Sequence, residues 1–232
     1  MEHAEAIERA RGAFRSGKTR DIVWRQNQLR ALICLLDENM DRIRTVLRND
    51  LNKVDVEVEI EVTSVHNEAA EAIDSLKYWI RPELAPSDMS SMMAKMTINP
   101  EPRGTVLIIG PWNFPLNCLL RPLVSAIASG CTAVIKPSEV ALSTCRLMIE
   151  LLPLYLDKDA FPIIFADGPE TAELLAQFRF DLVFFTGSSQ IGKLVYQAAA
   201  GHLTPVVLEL GGKNPVWVDD TADLENAAKV WR

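Results

Sequence analysis

The sequence lacks any apolar run long enough to cross a membrane. Its apolar stretches fall short of the roughly 18 residues that a spanning helix needs. The first residues, MEHAEAIERARG, are charged and have no apolar segment of the kind that a secretory signal carries. We therefore expect neither a membrane segment nor a signal peptide.

Cysteine and histidine are scarce. The four cysteines form no CxxC pair, and the three histidines lie far apart in the sequence. Such spacing predicts neither a disulfide framework nor a metal site, and it favours a reduced, cytoplasmic protein. The cysteines are Cys34, Cys118, Cys131 and Cys145.

Basic residues are fewer than acidic ones. The chain has 24 Lys and Arg against 31 Asp and Glu, a formal net charge of -7, and no basic cluster. Because nucleic acids and anionic membranes attract basic patches, neither is an expected partner.

Residues 1–81 carry apolar residues at helical spacing. After Asp21, a suitable helix cap, one stripe runs from Leu29 to Leu47, and a second runs from Val58 to Ile80. Charged residues fill the other faces. The spacing predicts two amphipathic helices that pack on the rest of the protein.

Residues 82–103 contain four prolines and are predicted to form a linker or arm, extended around residues 92–98. The remainder, residues 104–232, alternates short apolar runs with helical segments. This alternation is typical of a parallel sheet covered on both faces, so we predict an α/β fold with a Rossmann-like, doubly wound sheet. The predicted strands are residues 104–110, 132–136, 162–166, 181–187, 205–212 and 214–218.

Polar and glycine residues follow several of these strands, where a doubly wound sheet binds its ligands. The first group is the loop Ile109-Gly110-Pro111-Trp112-Asn113-Phe114-Pro115. Two prolines stiffen it around Asn113, whose side-chain amide could donate to a developing oxyanion. The alternative is that Asn113 is an ordinary turn residue.

The second group is Lys136-Pro137-Ser138-Glu139. A lysine and a carboxylate at a strand end suit ribose hydroxyls, and a carboxylate there repels a 2′-phosphate, which favours NAD over NADP. A surface Lys136–Glu139 pair without a ligand is the alternative.

The third group runs from Phe185 to Gly192 and opens a helix. Helix N-terminal amides bind phosphate, and Gly187 and Gly192 permit close backbone approach. The segment is not a GxGxxG fingerprint, and a common strand-to-helix turn is the alternative.

In the fourth group, Glu209 interrupts an apolar strand before a glycine pair. Burial raises the proton affinity of a carboxylate in general, which suits a general base. Because strand residues alternate, Glu209 could equally point to an exposed face.

Taken together, GTVLIIGPWNFP, KPSE, FTGSSQIG and LELGGKNP resemble the ordered motifs of aldehyde dehydrogenases, from about Phe14 to the last residue. FRSGKTR, RQNQLRALICLL and DLNK are similar to the class 3, fatty-aldehyde branch. The resemblance implies NAD(P)-dependent oxidation of an aldehyde, through attack by a cysteine thiolate and hydrolysis of a thioester.

The resemblance also implies a role for each matching residue. Asn113 would stabilise the oxyanion, Glu209 would activate the deacylating water, and Lys136 and Glu139 would hold the adenosine ribose. The implied cofactor contacts also include the following residues: Trp112, Gly187, Ser188, Ser189, Gln190, Ile191 and Gly192.

The sequence departs from the family at the nucleophile, because the family's GQxC-type motif is absent and no cysteine follows Glu209. We therefore expect the chain to be a truncated, inactive relative. Cys118, near a predicted helix start, could substitute as the nucleophile, and the alternative is that it is a small structural residue in a packed helix; the other cysteines fit apolar cores. The alternative function is a non-catalytic NAD(P)-binding or partner-binding module that associates with a full-length relative as a homo- or hetero-oligomer.

Overall fold

The computed structural model describes residues 2–86 and 94–230. Four helices open the chain: α1 (Glu2–Arg15), α2 (Ile22–Glu38), α3 (Met40–Leu51) and α4 (Asp55–Trp79). Asp21 caps α2 as predicted, since its side chain accepts a hydrogen bond from the backbone N of Val23 at 2.9 Å. α4 matches the second predicted stripe.

The first predicted stripe is broken into two helices, contrary to the sequence prediction. The break lies at Asn39, whose backbone leaves the helical region with φ -116 and ψ 16. The Asn39 side chain donates to the carbonyl oxygen of Leu35 at 2.9 Å and to the Tyr155 hydroxyl at 3.0 Å. A buried amide with two such partners stabilises the bend, which the apolar spacing alone does not reveal.

The segment after α4 forms a small antiparallel pair, β1 (Glu83–Leu84) with β2 (Thr97–Ile98). Both strands are exposed. The predicted extension over residues 92–98 is confirmed at its last two residues, whereas residues 94–96 form no strand, and residues 87–93 lie outside the described part of the chain.

A parallel sheet of four strands follows: β3 (Thr105–Ile109), β4 (Thr132–Lys136), β5 (Leu182–Thr186) and β6 (Val206–Glu209), in the order β4-β3-β5-β6. The connecting helices are α5 (Asn117–Ser129), α6 (Leu142–Tyr155), α7 (Gly168–Gln177) and α8 (Ser189–Ala200). A last helix, α9 (Leu224–Val230), follows an exposed segment.

Alternate residues of the central strand face two different apolar cores. Val106 and Ile108 pack with α2 to α6, whereas Leu107 and Ile109 pack with α1, α7 and α8. Helices therefore cover both faces of a parallel sheet, and the predicted doubly wound α/β fold is confirmed.

Two predicted strands do not form among the described residues. Over residues 162–166 a single parallel bridge joins Ile163 to Ile135, with hydrogen bonds from Ile135 N to Pro162 O and from Ile164 N to Ile135 O. Pro162 has no N–H to donate, which limits the ladder there. Residues 214–218 are exposed and pair with no strand of the described chain, so β6 is the outer strand on this side of the sheet, opposite β4.

The strand order places a crevice at one end of the sheet. From β3 the chain moves outward to β4, then crosses back to β5 and β6 on the other side of β3. The connections on the two sides diverge at the carboxyl ends of β3 and β5, the topological switch point where such sheets bind ligands. No helix in the described ranges is long and apolar enough to span a membrane.

One of the N-terminal helices, α3, also caps α6, a helix that covers the sheet. Asp50, in α3, accepts hydrogen bonds from the backbone N atoms of Ser143 at 3.0 Å and Thr144 at 2.8 Å, in the first turn of α6. Burial by itself raises the pKa of Asp50, but the hydrogen bonds from Thr144 and Ser143 outweigh it and hold the pKa below its usual value.

Asp50→Ala is expected to lower the free energy of unfolding by about 1 kcal/mol, the usual effect of losing a helix cap. Because the folded-state pKa of Asp50 is lowered, its contribution is complete above the unfolded pKa of about 3.9 and is lost as the pH falls below it. Urea unfolding at pH 7 and at successively lower pH measures this loss. Asp37→Ala, at an exposed position of α2, is the control, and an equal effect of both variants would contradict the capping role.

Candidate functional site

A cleft of ≈ 810 Å³ opens at the carboxyl ends of all four parallel strands. It receives Gly110 after β3, Lys136 from β4, Thr186 from β5 and Glu209 from β6. The predicted site residues that line it are Trp112, Asn113, Lys136, Glu139, Gly187, Ser188, Ile191 and Glu209. The sheet thus brings together groups that lie far apart in the sequence.

The loop after β3 presents Trp112 and Asn113 to the cleft, and both are exposed. Its base is fixed because the Gly110 N–H donates to the carbonyl oxygen of Lys136 at 3.0 Å. The Asn113 Oδ1 accepts from the backbone N of Phe114 at 3.1 Å. This bond orients the amide and leaves its Nδ2 as the group that can donate to a ligand.

Lys136 and Glu139 form an ion pair in the cleft wall. Lys136 is 4% exposed, and its ammonium donates to a carboxylate oxygen of Glu139. A buried ammonium needs such a partner, and the more exposed Glu139 carboxylate retains capacity to accept hydrogen bonds from a ligand. Lys136 is buried at the end of β4 and Glu139 is partly exposed, so the pair lies only partly at the surface, and its role in binding a ligand stays a prediction.

Ser188 caps α8, since its Oγ accepts from the backbone N of Ile191 at 3.3 Å. Gly187, Ser188 and Ile191 line the cleft, so the N-terminus of α8 faces it. Ser189, Gln190 and Gly192 are not among the lining residues. A Cβ added to Gly192 would lie 2.6 Å from Leu210 Cδ2, so this glycine allows α8 to pack closely beside the chain that follows β6.

Glu209 is exposed, so the interpretation of a buried, desolvated carboxylate is wrong. Its strand is the outer one, with exposure alternating along its length, and Glu209 falls on an exposed position. The side chain nevertheless lines the cleft. The backbone holds it near α8, because Glu209 pairs with Thr186 and its carbonyl oxygen accepts from the N–H of Gly187 at 3.0 Å.

Sequence reasoning missed the wall that α7 and the outer turns of α8 contribute. Most of these residues lie in α7 and α8, and apolar spacing does not distinguish a cleft wall from an ordinary core face. The additional lining residues include Val140, Gly168, Pro169, Thr171, Ala172, Leu175, Leu194, Val195 and Ala198.

The cysteines do not provide an activated thiol in the described chain. Burial, and secondly the charge of Glu61, raise the pKa of Cys118, which disfavours the thiolate that a nucleophile requires. Burial raises the pKa of Cys145 to about 11. Cys131 and Cys145 are core thiols as predicted, but Cys34 is exposed, because it lies on the outer side of α2.

Residues 2–86 and 94–230 contain no group of three or more potential metal ligands.

Thiol modification of the folded chain at neutral pH is expected to follow accessibility and pKa. Cys34 should react first, Cys118 more slowly, and Cys131 and Cys145 only after unfolding. Peptide mapping after brief treatment with iodoacetamide measures this order, and Cys34→Ser should remove the fast phase. Fastest reaction at Cys118 would show that its thiol is activated after all.

Comparison with known sequences gives matches along almost the whole chain. The sequence model of the aldehyde dehydrogenase family matches residues 1–231. Aldehyde dehydrogenase family 3 member B1 of Bos taurus is 43% identical over 226 residues, which are 97% of this chain and 48% of that protein. The dimeric NADP-preferring aldehyde dehydrogenase of Mus musculus is 42% identical over 230 residues, 96% of this chain and 49% of that protein. The chain thus spans about half the length of the curated relatives it matches.

Solved structures agree with these matches. Staphylococcus aureus AldH in a substrate-bound state superposes with a TM-score of 0.88 at 36% identity, covering 97% of this chain and 49% of that one. A betaine aldehyde dehydrogenase of the same bacterium, solved with NAD+, gives 0.82 at 31% identity, covering 99% of this chain and 46% of that one. The resemblance inferred from the motifs is confirmed, and the chain belongs to the aldehyde dehydrogenase family.

Proposed function

We propose that this chain forms the nucleotide-binding part of an NAD(P)-dependent enzyme that oxidises an aldehyde to a carboxylic acid. The observation that carries the proposal is that Lys136, Ser188 and Glu209, from three different strand ends, meet in one cleft. Similar proteins solved with NAD+ and with NADP support a dinucleotide as the ligand. NAD is the favoured cofactor, and NADP is the alternative.

The residues present fit the chemistry of a dinucleotide. The Lys136–Glu139 pair offers a cation and a carboxylate to ribose hydroxyls, and the N-terminus of α8 offers backbone amides to phosphate oxygens. Between α7 and α8, the cleft is lined by the apolar side chains of Leu175, Val195 and Ala198. Such a surface suits the face of an adenine ring.

The remaining cleft residues suit the oxidation itself. A bound nicotinamide would supply the hydride acceptor. Asn113 would donate its amide N–H to the oxygen of the aldehyde as negative charge develops there. Glu209 would take the proton of the water whose oxygen becomes part of the carboxylate product.

The thiolate nucleophile is the part that these residues do not provide. Cys118 has a raised pKa, and Cys131 and Cys145 are buried in the core. We therefore propose that the 232 residues by themselves bind the nucleotide but do not complete the oxidation. Four free thiols are consistent with the reducing, cytoplasmic location that forms part of this proposal.

A non-catalytic, partner-binding module is the second candidate. Large apolar side chains are exposed in the segments before and after the outer strand: Leu203 is 92%, Trp217 88% and Leu224 70% exposed. Exposed apolar patches often mark association surfaces. Neither candidate expects the isolated chain to form NADH from NAD and an aldehyde, so catalysis that Cys118→Ala removes would contradict both.

Lys136→Met is expected to weaken NAD binding by about ten- to a hundredfold, because it removes a charged hydrogen-bond donor from the cleft wall. Isothermal titration calorimetry measures the Kd. Lys158→Met is the control. Lys158 is exposed and lies two residues before Ala160, whose carbonyl oxygen accepts from the Ala133 N–H at the start of β4. This end of the sheet is opposite to the cleft, so the variant should leave the Kd unchanged. Absence of binding by the unaltered chain at several millimolar NAD would refute the proposal.

Glu139→Gln is expected to shift preference towards NADP by about three- to tenfold, because the neutral amide no longer repels a 2′-phosphate. The measured quantity is the ratio of the Kd values for NAD and NADP. The control is Glu173→Gln, on the exposed face of α7. An unchanged ratio would show that Glu139 does not distinguish the two nucleotides.

A further inference from the structure

The fully buried carboxylate of Glu61 lies beneath the loop that carries Asn113. Glu61 belongs to α4 and is 0% exposed. One of its oxygens accepts from the ammonium of Lys53, which is itself 7% exposed. Burial of a full ion pair is costly unless both partners make further polar contacts. The further contacts of Lys53 and of Glu61 are with the loop that carries Asn113 and with the start of α5.

The second oxygen of Glu61 accepts two backbone N–H groups at the start of α5. It accepts from Leu116 N at 3.1 Å and from Asn117 N at 3.0 Å. These amides belong to the helix N-terminus, whose first N–H groups have no partner within the helix and favour a negative charge. Glu61 thus fixes the point at which the loop after β3 enters α5.

Lys53 contacts the loop from the same side. Its Nζ lies 3.9 Å from the centroid of the Phe114 ring, a cation–π contact. Phe114 follows Asn113 directly, and its backbone N–H is the donor that orients the Asn113 amide. The two buried charges therefore hold residues on the C-terminal side of Asn113, while Gly110 holds the other side.

We propose that Lys53 and Glu61 are positioning residues that hold Asn113 and Trp112 at the cleft. Neither residue is among those lining the cleft, so their effect is transmitted through Phe114, Leu116 and Asn117. The inference rests on the proposed function, because Asn113 matters only if an oxyanion forms beside it. The pair determines how rigidly the loop is held before any ligand binds.

Hydrogen exchange of the ligand-free chain tests the loop directly. Glu61→Gln should accelerate exchange in residues 110–118 by about tenfold or more, since an amide cannot serve both the ammonium and the two N–H groups. Exchange in β4 and β5 should not change. The same variant should weaken NAD binding several-fold, because Trp112 lines the cleft.

Glu68→Gln is the matched control. Glu68 lies two turns further along α4 and contacts Arg121 and Ser125 in the body of α5, so it joins the same two helices without touching the loop. Its variant should leave exchange over residues 110–118 unchanged. Equal acceleration by both variants, or none with Glu61→Gln, would overturn the proposal.

If circular dichroism shows that the Glu61→Gln variant does not fold, Phe114→Leu provides the test. Phe114 is 41% exposed, so its replacement spares the core but removes the ring beneath Lys53. Exchange over residues 110–118 should then rise by a few-fold, and unchanged exchange would refute the role of the pair. Because exchange is measured without nucleotide, failure of the unaltered chain to bind NAD would refute the proposed function alone.

Discussion

Carboxylates of the N-terminal helices fix the starts of the two helices that follow β3 and β4. Asp50 accepts the first N–H groups of α6, and Glu61 accepts those of α5. Each contact satisfies backbone donors that the helix itself leaves unpaired and places negative charge at the positive end of its dipole. Since α5 follows the Asn113 loop and α6 follows Lys136 and Glu139, the two contacts also determine the shape of the cleft.

Through these two contacts the N-terminal helices position parts of the site, although Asp50 and Glu61 do not themselves line the cleft. α2 packs against α5 and α6, and α4 packs against α5, through apolar side chains, and such apolar contacts are not directional. Hydrogen bonds to specific backbone atoms provide the direction. Whether residues 1–81 form a separate domain stays a prediction, but their polar contacts reach the loops of the cleft.

Much of the fold could be predicted because β3 and β4 are buried on both faces. A run such as Val106 to Ile109 has to be apolar throughout, so it differs plainly from the amphipathic helices around it. The outer elements were predicted less well. Residues 214–218 contain the apolar run Val216 to Val218, yet they pair with no strand of the described chain, and composition alone does not show whether a pairing partner is present.

Site residues that directly follow a strand could be predicted from the sequence. Residues whose hydrogen-bond partners lie in distant parts of the chain could not. Lys136 and Ser188 could be placed from their position after apolar runs. Glu61 carried a signal that was overlooked: it falls three residues after Val58 and four before Val65, on the buried stripe of α4. A carboxylate at such a position needs a specific partner, but the sequence does not say that the partner is the start of another helix. The burial of Glu209 was undecided because it depends on whether β6 has a neighbour.

The outer position of β6 has a consequence for the chain in solution. The outer edge of such a strand carries backbone N–H and C=O groups that a second molecule can pair with, and Leu203 and Trp217 add apolar surface nearby. The net charge of -7 opposes that approach by mutual repulsion. Repulsion acts over only about 8 Å at physiological ionic strength and over shorter distances in stronger salt. Mutual repulsion between chains therefore weakens as the salt concentration rises, and the outer edge of β6 is then less protected against contact with another molecule.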